Sequence, residues 1–381
     1  MKNYDVIIVG AGTSGLMAAS VLTRRKKSVL IVDMGNAPAR KVAVSGGGKC
    51  NFTNTHADFT HYFGKNPRFV CSALAQWTSN DTLGWVRAHK IAVYEKEPGR
   101  YFCKNSADDI VNALLQDING TDTKYNTAVK DIEKNEDRFI VHTNKGEFSA
   151  KSVIVASGGM SYPHLGVSNI GHQIAKKFGH KIEPIRPALC AIKTKSFSSE
   201  LAGISLPVEI TINKNKTVDD LLFTHFGIGG PAVYRATLFG AQKMAINFSP
   251  DIDVFKLLHD AKTNNGRRTV AKVLGEILPS KLARFLCNDA HNIADFRDSE
   301  LKQVATKVND FVIDDANATG MQSAEVTAGG ISTDKISSKT MESKICAGLY
   351  FTGEVMDITG DLGGYNLQWA FSSGFVAGLN A

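Results

Sequence analysis

Residues 4–15 read YDVIIVGAGTSG, and the reading of this stretch decides the fold. Tyr4–Val9 is an apolar, β-branched run of the kind that fills a strand buried on both faces. It leads into Gly10, Gly12 and Gly15 at the spacing of a dinucleotide turn, followed by a helix-compatible run from Leu16 to about Arg25. A second buried-type strand, Ser28–Val32, ends at Asp33, 23 positions after Gly10. In this context Gly10 permits the tight turn, Gly12 lets the backbone meet a pyrophosphate, and Gly15 lets the helix lie close to the sheet. Thr13 and Ser14 stand at the helix start, where free amides favour an anion. Asp33 is placed to accept from a ribose hydroxyl. An acid there disfavours a 2′-phosphate, which leaves NAD and the ADP half of FAD.

Next along the chain, Val44–Asn51 reads VSGGGKCN. It is not a phosphate-binding P-loop, because Ala43 takes the first glycine position and Cys50 replaces the hydroxyl residue that would hold magnesium. Following Asp33 by about a dozen residues, it belongs near the first turn. Two readings stand: a surface glycine turn, or backbone at Ser45, Gly46, Gly47, Gly48 and Asn51 reaching the second half of the dinucleotide. In the second, Arg40, Lys41 or Lys49 offsets phosphate charge.

Composition bounds the rest. The chain has 381 residues, 43% hydrophobic and 21% charged, with 34 glycines against 10 prolines, as in a soluble protein of about two domains. No apolar run is long enough to span a bilayer, and the strand-like start is unlike a signal peptide, so the expectation is cytoplasmic. Six scattered cysteines without a CxxC pair argue against a zinc site, a disulfide framework or a dithiol redox centre, and no metal site is expected. The net charge of +7 is spread along the chain, and on that ground nucleic acid is set aside as a partner.

The C-terminal stretch from Ala347 to Gly378 adds a strand at Leu349–Thr352, glycine turns at Gly353-Glu354 and Gly360-Asp361-Leu362-Gly363-Gly364, and a helix from about Tyr365. That helix start offers amides and a positive dipole end to a group such as a flavin, whose N1 and O2 region becomes anionic on reduction.

Taken together, VIIVGAGTSGLMAA, VSGGGKCNFTN, VIVASGGMSYPHLG, LLFTHFGIGGPAV, AEVTAGGIS and LYFTGEVMDITGDLGGYNLQWAFSSG resemble the BaiN-type (aminoacetone oxidase-like) family of NAD(P)/FAD-dependent oxidoreductases. The resemblance implies an α/β fold: a Rossmann-like FAD domain, parallel sheet plus antiparallel meander, interrupted by an α+β insert with a small β barrel or sheet and helices. The expected boundaries are 1–187 and 319–381 for the FAD domain and 188–318 for the insert. It also implies that Ser45 to Asn51 lies along the FAD pyrophosphate and ring, that Val129 touches adenine through its backbone, and that Ala156, Gly158 and the Gly353–Leu367 segment approach the cofactor. Within that segment Glu354, Asp361, Gly363, Gly364, Tyr365, Asn366 and Leu367 are the contacts expected. Two departures from the family pattern, Val167–Gly171 in place of a Ser-Thr-Gly-Asp-Gly-like turn and Gly229 in place of serine, bear on substrate.

For chemistry, Tyr162 and His164 are candidates for acid/base work, against a reading in which both rings pack around Pro163. His225 in the insert either reaches the flavin or plays a structural part. Cys50 is either redox-active or, with no partner cysteine nearby, simply packed. Without a second dinucleotide turn, NAD(P)H is a transient electron donor or the substrate itself reduces the flavin. The expected activity is hydride transfer between flavin and a small organic substrate, as reduction of a conjugated double bond or as oxidation of a small amine by oxygen. A flavoprotein that binds RNA for nucleotide modification is the rival from another class. Oligomeric state is not legible.

Overall fold

The computed structural model describes residues 2–287 and 290–381. The backbone divides into two compact units, one formed by the chain up to Arg186 with Glu325–Ala381, the other by Pro187–Ala324.

The first unit is built on β1 (Lys2–Val9), α1 (Thr13–Arg24), β2 (Val29–Val32), β3 (Asp122–Lys124), β4 (Val129–Asn135), β5 (Arg138–Thr143), β6 (Gly146–Val155), β7 (Leu349–Phe351) and α2 (Tyr365–Asn380). The sheet order is β3-β2-β1-β6-β5-β4, with β7 beside β6. Strands β3, β2, β1, β6 and β7 run parallel, and β5 and β4 antiparallel. Strand β6 changes partner along its length: Gly146–Ala150 pairs with β5 and Val153–Val155 with β7, while β1 follows it from Phe148 to Val155. The last strand of the meander and the parallel strand beside β1 are therefore one ten-residue strand. The register sets Val9 beside Val32 and Val155, and Val155 beside Phe351. Gly10, Asp33, Ala156 and Thr352 thus leave the sheet at one edge, the carboxyl edge where ligands of such sheets bind.

Helices α1 and α2 explain why the C-terminus returns. A methyl group on Gly374 would lie 2.3 Å from Ser14 O, and one on Gly378 2.7 Å from Ala18 O. Glycines one turn apart on α2 therefore let it rest directly on the same-spaced backbone of α1. Arg25 closes the pair by donating from Nη1 to Gly378 O at 2.7 Å. Both helices are buried over most of their length.

The second unit is a seven-stranded antiparallel sheet running from Phe311–Ile313 at one edge to Asn317–Ala318 at the other, through the hairpin Ser205–Ile212 and Asn215–Thr224. Helices Val254–Asn264, Val270–Leu274, Ser280–Leu286 and Asp298–Asn309 accompany it. Asp253 and Thr269 cap two of them through their side chains. Its core is separate and mainly aliphatic, with an aromatic cluster in which Phe197 packs on Phe223 and Phe311 at 4.9 Å between ring centroids. No helix among the described residues is long and apolar enough to cross a membrane.

Candidate active site

At the carboxyl edge of the sheet the glycines fall into two kinds. A methyl on Gly10 would lie 2.3 Å from Ala156 O, and one on Gly15 2.1 Å from Gly10 O, so both are held against backbone. Gly12, by contrast, faces no atom within 4 Å. Gly47, Gly48 and Gly158 also face open space, all with positive φ, +64°, +81° and +75°. These gaps are where a flat, phosphate-bearing cofactor would approach the backbone. The amino end of α2 adds to them: Gly364 (φ +98°) precedes it and no side chain caps it. Thr13 and Ser14 are buried at the start of α1, with Ser14 Oγ turned toward Gly353. Gly353 donates from N to Ser373 Oγ at 3.0 Å. Ala156 donates from N to Val9 O at 2.8 Å.

Asp33 does more than wait for a ribose. Its Oδ2 accepts from Ala11 N and its Oδ1 from Gly35 N, both at 2.7 Å, and Arg40 Nη2 lies 3.3 Å from Oδ1. The carboxylate braces the turn and keeps further lone pairs for a ligand. The three cations expected to offset phosphate charge all have protein partners. Arg40 also donates to Leu165 O and Gly166 O. Lys49 donates to Lys104 O at 3.2 Å and Asn105 O at 2.7 Å. Lys41 Nζ sits 2.7 Å from Glu354 Oε2 and 2.5 Å from Ser161 Oγ. Glu354 Oε1 accepts from Thr327 N at 2.7 Å, and Thr327 Oγ1 from Met160 N and Ser161 N. Sequence reasoning missed Ser161 and Thr327. Ser161 had a signal, standing three residues after Gly158, whereas Thr327 reaches the site only through the return of the chain.

The triplet loop and the last helix interlock. Asn54 Nδ2 donates to Gly363 O at 2.9 Å, and Thr53 Oγ1 to Gln368 Oε1 at 2.5 Å. The Asn51 amide bridges Tyr101 O and Gly364 N, at 3.2 and 3.1 Å. Asn366 closes its own turn through Gly360 N and O, both at 2.8 Å. The Tyr365 ring stacks on His61 at 4.5 Å, and Asp361 N donates to His61 O. Leu367 is half-buried against the core. The NFTN and GGYNLQ blocks are thus two halves of one hydrogen-bonded support.

Cys50 has a neighbouring cysteine that the sequence reading did not expect: it is buried, at φ +48°, with Cys103 against it from the antiparallel strand Arg100–Cys103. The facing Cys103 thiol, and then burial, push the Cys50 thiol well above its ordinary range, which disfavours a thiolate nucleophile. Tyr162 is half-buried in a left-handed conformation (φ 57°, ψ 57°), with Lys41 Nζ 6.0 Å from its ring centroid. His164 is exposed and packs edge-on against it at 5.7 Å. Val129 begins β4 opposite Thr143, just before a bulge. His225 belongs to the second unit, exposed at the turn after Asn215–Thr224. Among the described residues no group of side chains could hold a metal ion.

A two-strand-and-helix dinucleotide turn, gaps over Gly12, Gly47, Gly48 and Gly158, and an uncapped helix end define the FAD-binding class of Rossmann oxidoreductases. The chain belongs to the HI0933-like family, whose description as the HI0933-like protein Rossmann domain matches residues 4–380. It is therefore an FAD-dependent oxidoreductase.

The chain is 38% identical over 397 residues to the ribosomal RNA dihydrouridine synthase of Haemophilus influenzae, covering 100% of this chain and 99% of that one. To the enzyme of the same name from Escherichia coli it is 36% identical, covering 99% and 97%. To the 3-dehydro-bile acid delta(4,6)-reductase of Clostridium scindens it is 29% identical, covering 98% of each. The fold is shared with the 3-ketosteroid-delta4-(5alpha)-dehydrogenase of Rhodococcus jostii, with a TM-score of 0.50 at 12% identity over 99% of this chain and 97% of that one. The names of the first two relatives go against the expectation that nucleic acid is no partner. That expectation averaged charge over the whole chain, and the average hides its distribution. The second unit has 16 Lys and Arg against 15 Asp and Glu, the first 28 against 22.

Proposed function

We propose that this protein reduces the C5=C6 double bond of a uracil in ribosomal RNA, with FAD as bound carrier and NAD(P)H as transient electron donor. The observation that carries this reading is the end-to-end similarity, at 38% and 36% identity, to two ribosomal RNA dihydrouridine synthases. The expected reduction of a conjugated double bond fits it, because the uracil alkene is conjugated to a carbonyl and so accepts a hydride. Bound FAD would supply a two-electron carrier that passes a hydride at its ring.

The chain's part is to hold that group, shape the pocket and deliver a proton. Gly12, Gly47, Gly48 and Gly158 leave the room, Asp33 is the ribose acceptor, and the amino end of α2 favours negative charge. Lys41, locked to Glu354 and Ser161, fixes the start of the Tyr162 loop. Tyr162 is the acid that gives a proton to the carbon not taking the hydride, and its left-handed backbone is strain retained at a working residue. His164, exposed beside it, relays protons from solvent.

The test is to incubate holoenzyme anaerobically with unmodified ribosomal RNA and NADH or NADPH, then analyse nucleosides by mass spectrometry. The expected result is dihydrouridine in step with nicotinamide oxidised. Flavin bleached only by a small amine, with peroxide formed on admitting air, would overturn it in favour of an oxidase. Tyr162→Phe should keep its flavin and lower turnover by about two orders of magnitude.

A further inference from the structure

The first unit's excess of basic residues is concentrated in residues 40–105, with ten Lys and Arg against four Asp and Glu. Within it, strands Val93–Glu97 and Arg100–Cys103 form a hairpin that sequence reading did not single out. Cross-strand pairing sets Tyr94 opposite Phe102, and the register shifts between Glu95 and Glu97. Tyr94 and Lys96 share a face with Phe102: the Tyr94 and Phe102 rings stack at 5.6 Å, and Lys96 Nζ is 6.0 Å from the Phe102 centroid. Lys104 continues that face, its amide bonded to Ala92 O. Both glutamates are engaged within the hairpin, Glu95 with Gly99 N at 2.6 Å and Glu97 with Arg100 at 2.6 Å. Tyr94 is 38% exposed, and Lys90, Lys96 and Lys104 are exposed and in no ion pair among the described residues.

This face adjoins the cofactor cradle. A methyl on Gly46 would lie 3.2 Å from the Phe102 ring, Cys103 N donates to Lys49 O at 2.8 Å, and Ala107 N to Gly48 O at 2.9 Å. We infer that the Tyr94–Lys96–Phe102–Lys104 face binds unpaired RNA flanking the target nucleotide. The inference rests on the rRNA-reductase reading above and adds where the RNA lies. Lysines without carboxylate partners attract phosphates, and an aromatic pair with one exposed ring offers a base a stacking surface that tolerates any sequence. A site for a protein partner would not need unpaired lysines interleaved with aromatics, and the near-neutral second unit lacks the matching charge excess.

The experiment measures binding of holoenzyme to a single-stranded oligouridylate by fluorescence anisotropy across a salt series. Compared with wild type are Lys90→Ala/Lys96→Ala/Lys104→Ala, Tyr94→Ala, and a control, Lys214→Ala/Lys216→Ala/Lys243→Ala, in the second unit. Flavin absorbance and reduction by dithionite check each protein. The triple hairpin variant should flatten the slope of log affinity against log salt by about 2, and Tyr94→Ala should weaken binding about tenfold without changing the slope. The control should match wild type. If RNA is bound and reduced but only the control variant weakens it, the placement is overturned while the rRNA reading stands. If wild type neither binds RNA nor forms dihydrouridine, both fall.

Discussion

The two glycine-rich turns of the first unit use the same residue for opposite ends. At Gly10 and Gly15 the missing side chain is replaced by protein, carbonyl oxygens lying 2.3 and 2.1 Å from where a methyl would be. At Gly47 and Gly48 nothing lies within 4 Å, and the glycines are needed for their left-handed backbone. The first pair shapes the fold, and the second leaves the space that the proposed cofactor would use. Gly12 crosses the division, since it sits in the first turn but faces open space at an ordinary φ of −78°. What a glycine does is therefore set by what faces its α-carbon, not by the motif around it.

The harshest test of this division is Gly10→Ala. The methyl would strike backbone that cannot move aside, at a φ of +111° that alanine resists. Strain and overpacking together should cost on the order of 3 kcal/mol or more, read as a fall in the urea midpoint or loss of soluble protein. A well-folded Gly10→Ala protein would break the comparison at its first term.

Gly12→Ala should do the reverse. Stability should change by no more than about 1 kcal/mol, since only a cap preference is altered, while FAD affinity falls at least about tenfold as the methyl meets the pyrophosphate. Flavin retention on gel filtration beside a urea titration separates the two. A protein that loses stability and keeps its flavin would show that Gly12 serves the fold after all.

How much of this was legible follows from range. The turn at Gly10–Gly15 is local, so strand, helix and acid could be read from thirty residues. The family blocks located NFTN and GGYNLQ, yet only the structure joins them, through Asn54, Thr53 and Gln368. For Arg40, Lys41 and Lys49 the sequence shows a charge and hides the protein groups each one bonds. Glu354 is 313 positions from Lys41, and Asn105 O lies across a fold the triplet does not announce. The nearness of Cys50 to Cys103 was hidden for the same reason: a search for CxxC cannot find two thiols brought together by antiparallel pairing.

The third glycine pair repeats the division within two residues. Gly158 faces open space, while a methyl on Gly159 would meet Thr327 Oγ1 at 2.4 Å and Glu354 Oε1 at 2.8 Å. Behind it, a methyl on Gly171 would meet Ser157 Oγ at 2.1 Å, and the next residue, His172, is buried. Burial holds His172 below its ordinary value of 6.5, and His180 likewise. The folded protein keeps both rings neutral where the unfolded chain would protonate them. Their contribution to stability is whole above about pH 6.5 and is lost as pH falls below it, by up to about 1.4 kcal/mol per pH unit for each. His172→Leu should flatten the acid limb of a plot of Tm against pH. An unchanged limb would show that the wall behind Gly158 is wet enough to take the charge.

The smallest effect belongs to the other side of that wall. Lys41 and Glu354 are paired at 2.7 Å, with side chains 35% and 20% exposed, so solvent screens much of their attraction. A double-mutant cycle with Lys41→Met and Glu354→Gln should give a coupling of about 1 kcal/mol in urea unfolding. The two single variants should differ in consequence. Without Lys41, Glu354 still accepts from Thr327 N and the wall stands. Without its charge, Glu354 holds both Lys41 and Thr327 less tightly, and the loop carrying Ser161 and Tyr162 loosens. Glu354→Gln should therefore lower turnover more than Lys41→Met at nearly equal cost in stability. Equal losses of turnover would mean that the closed glycine positions only support the fold, and that the open ones alone carry function.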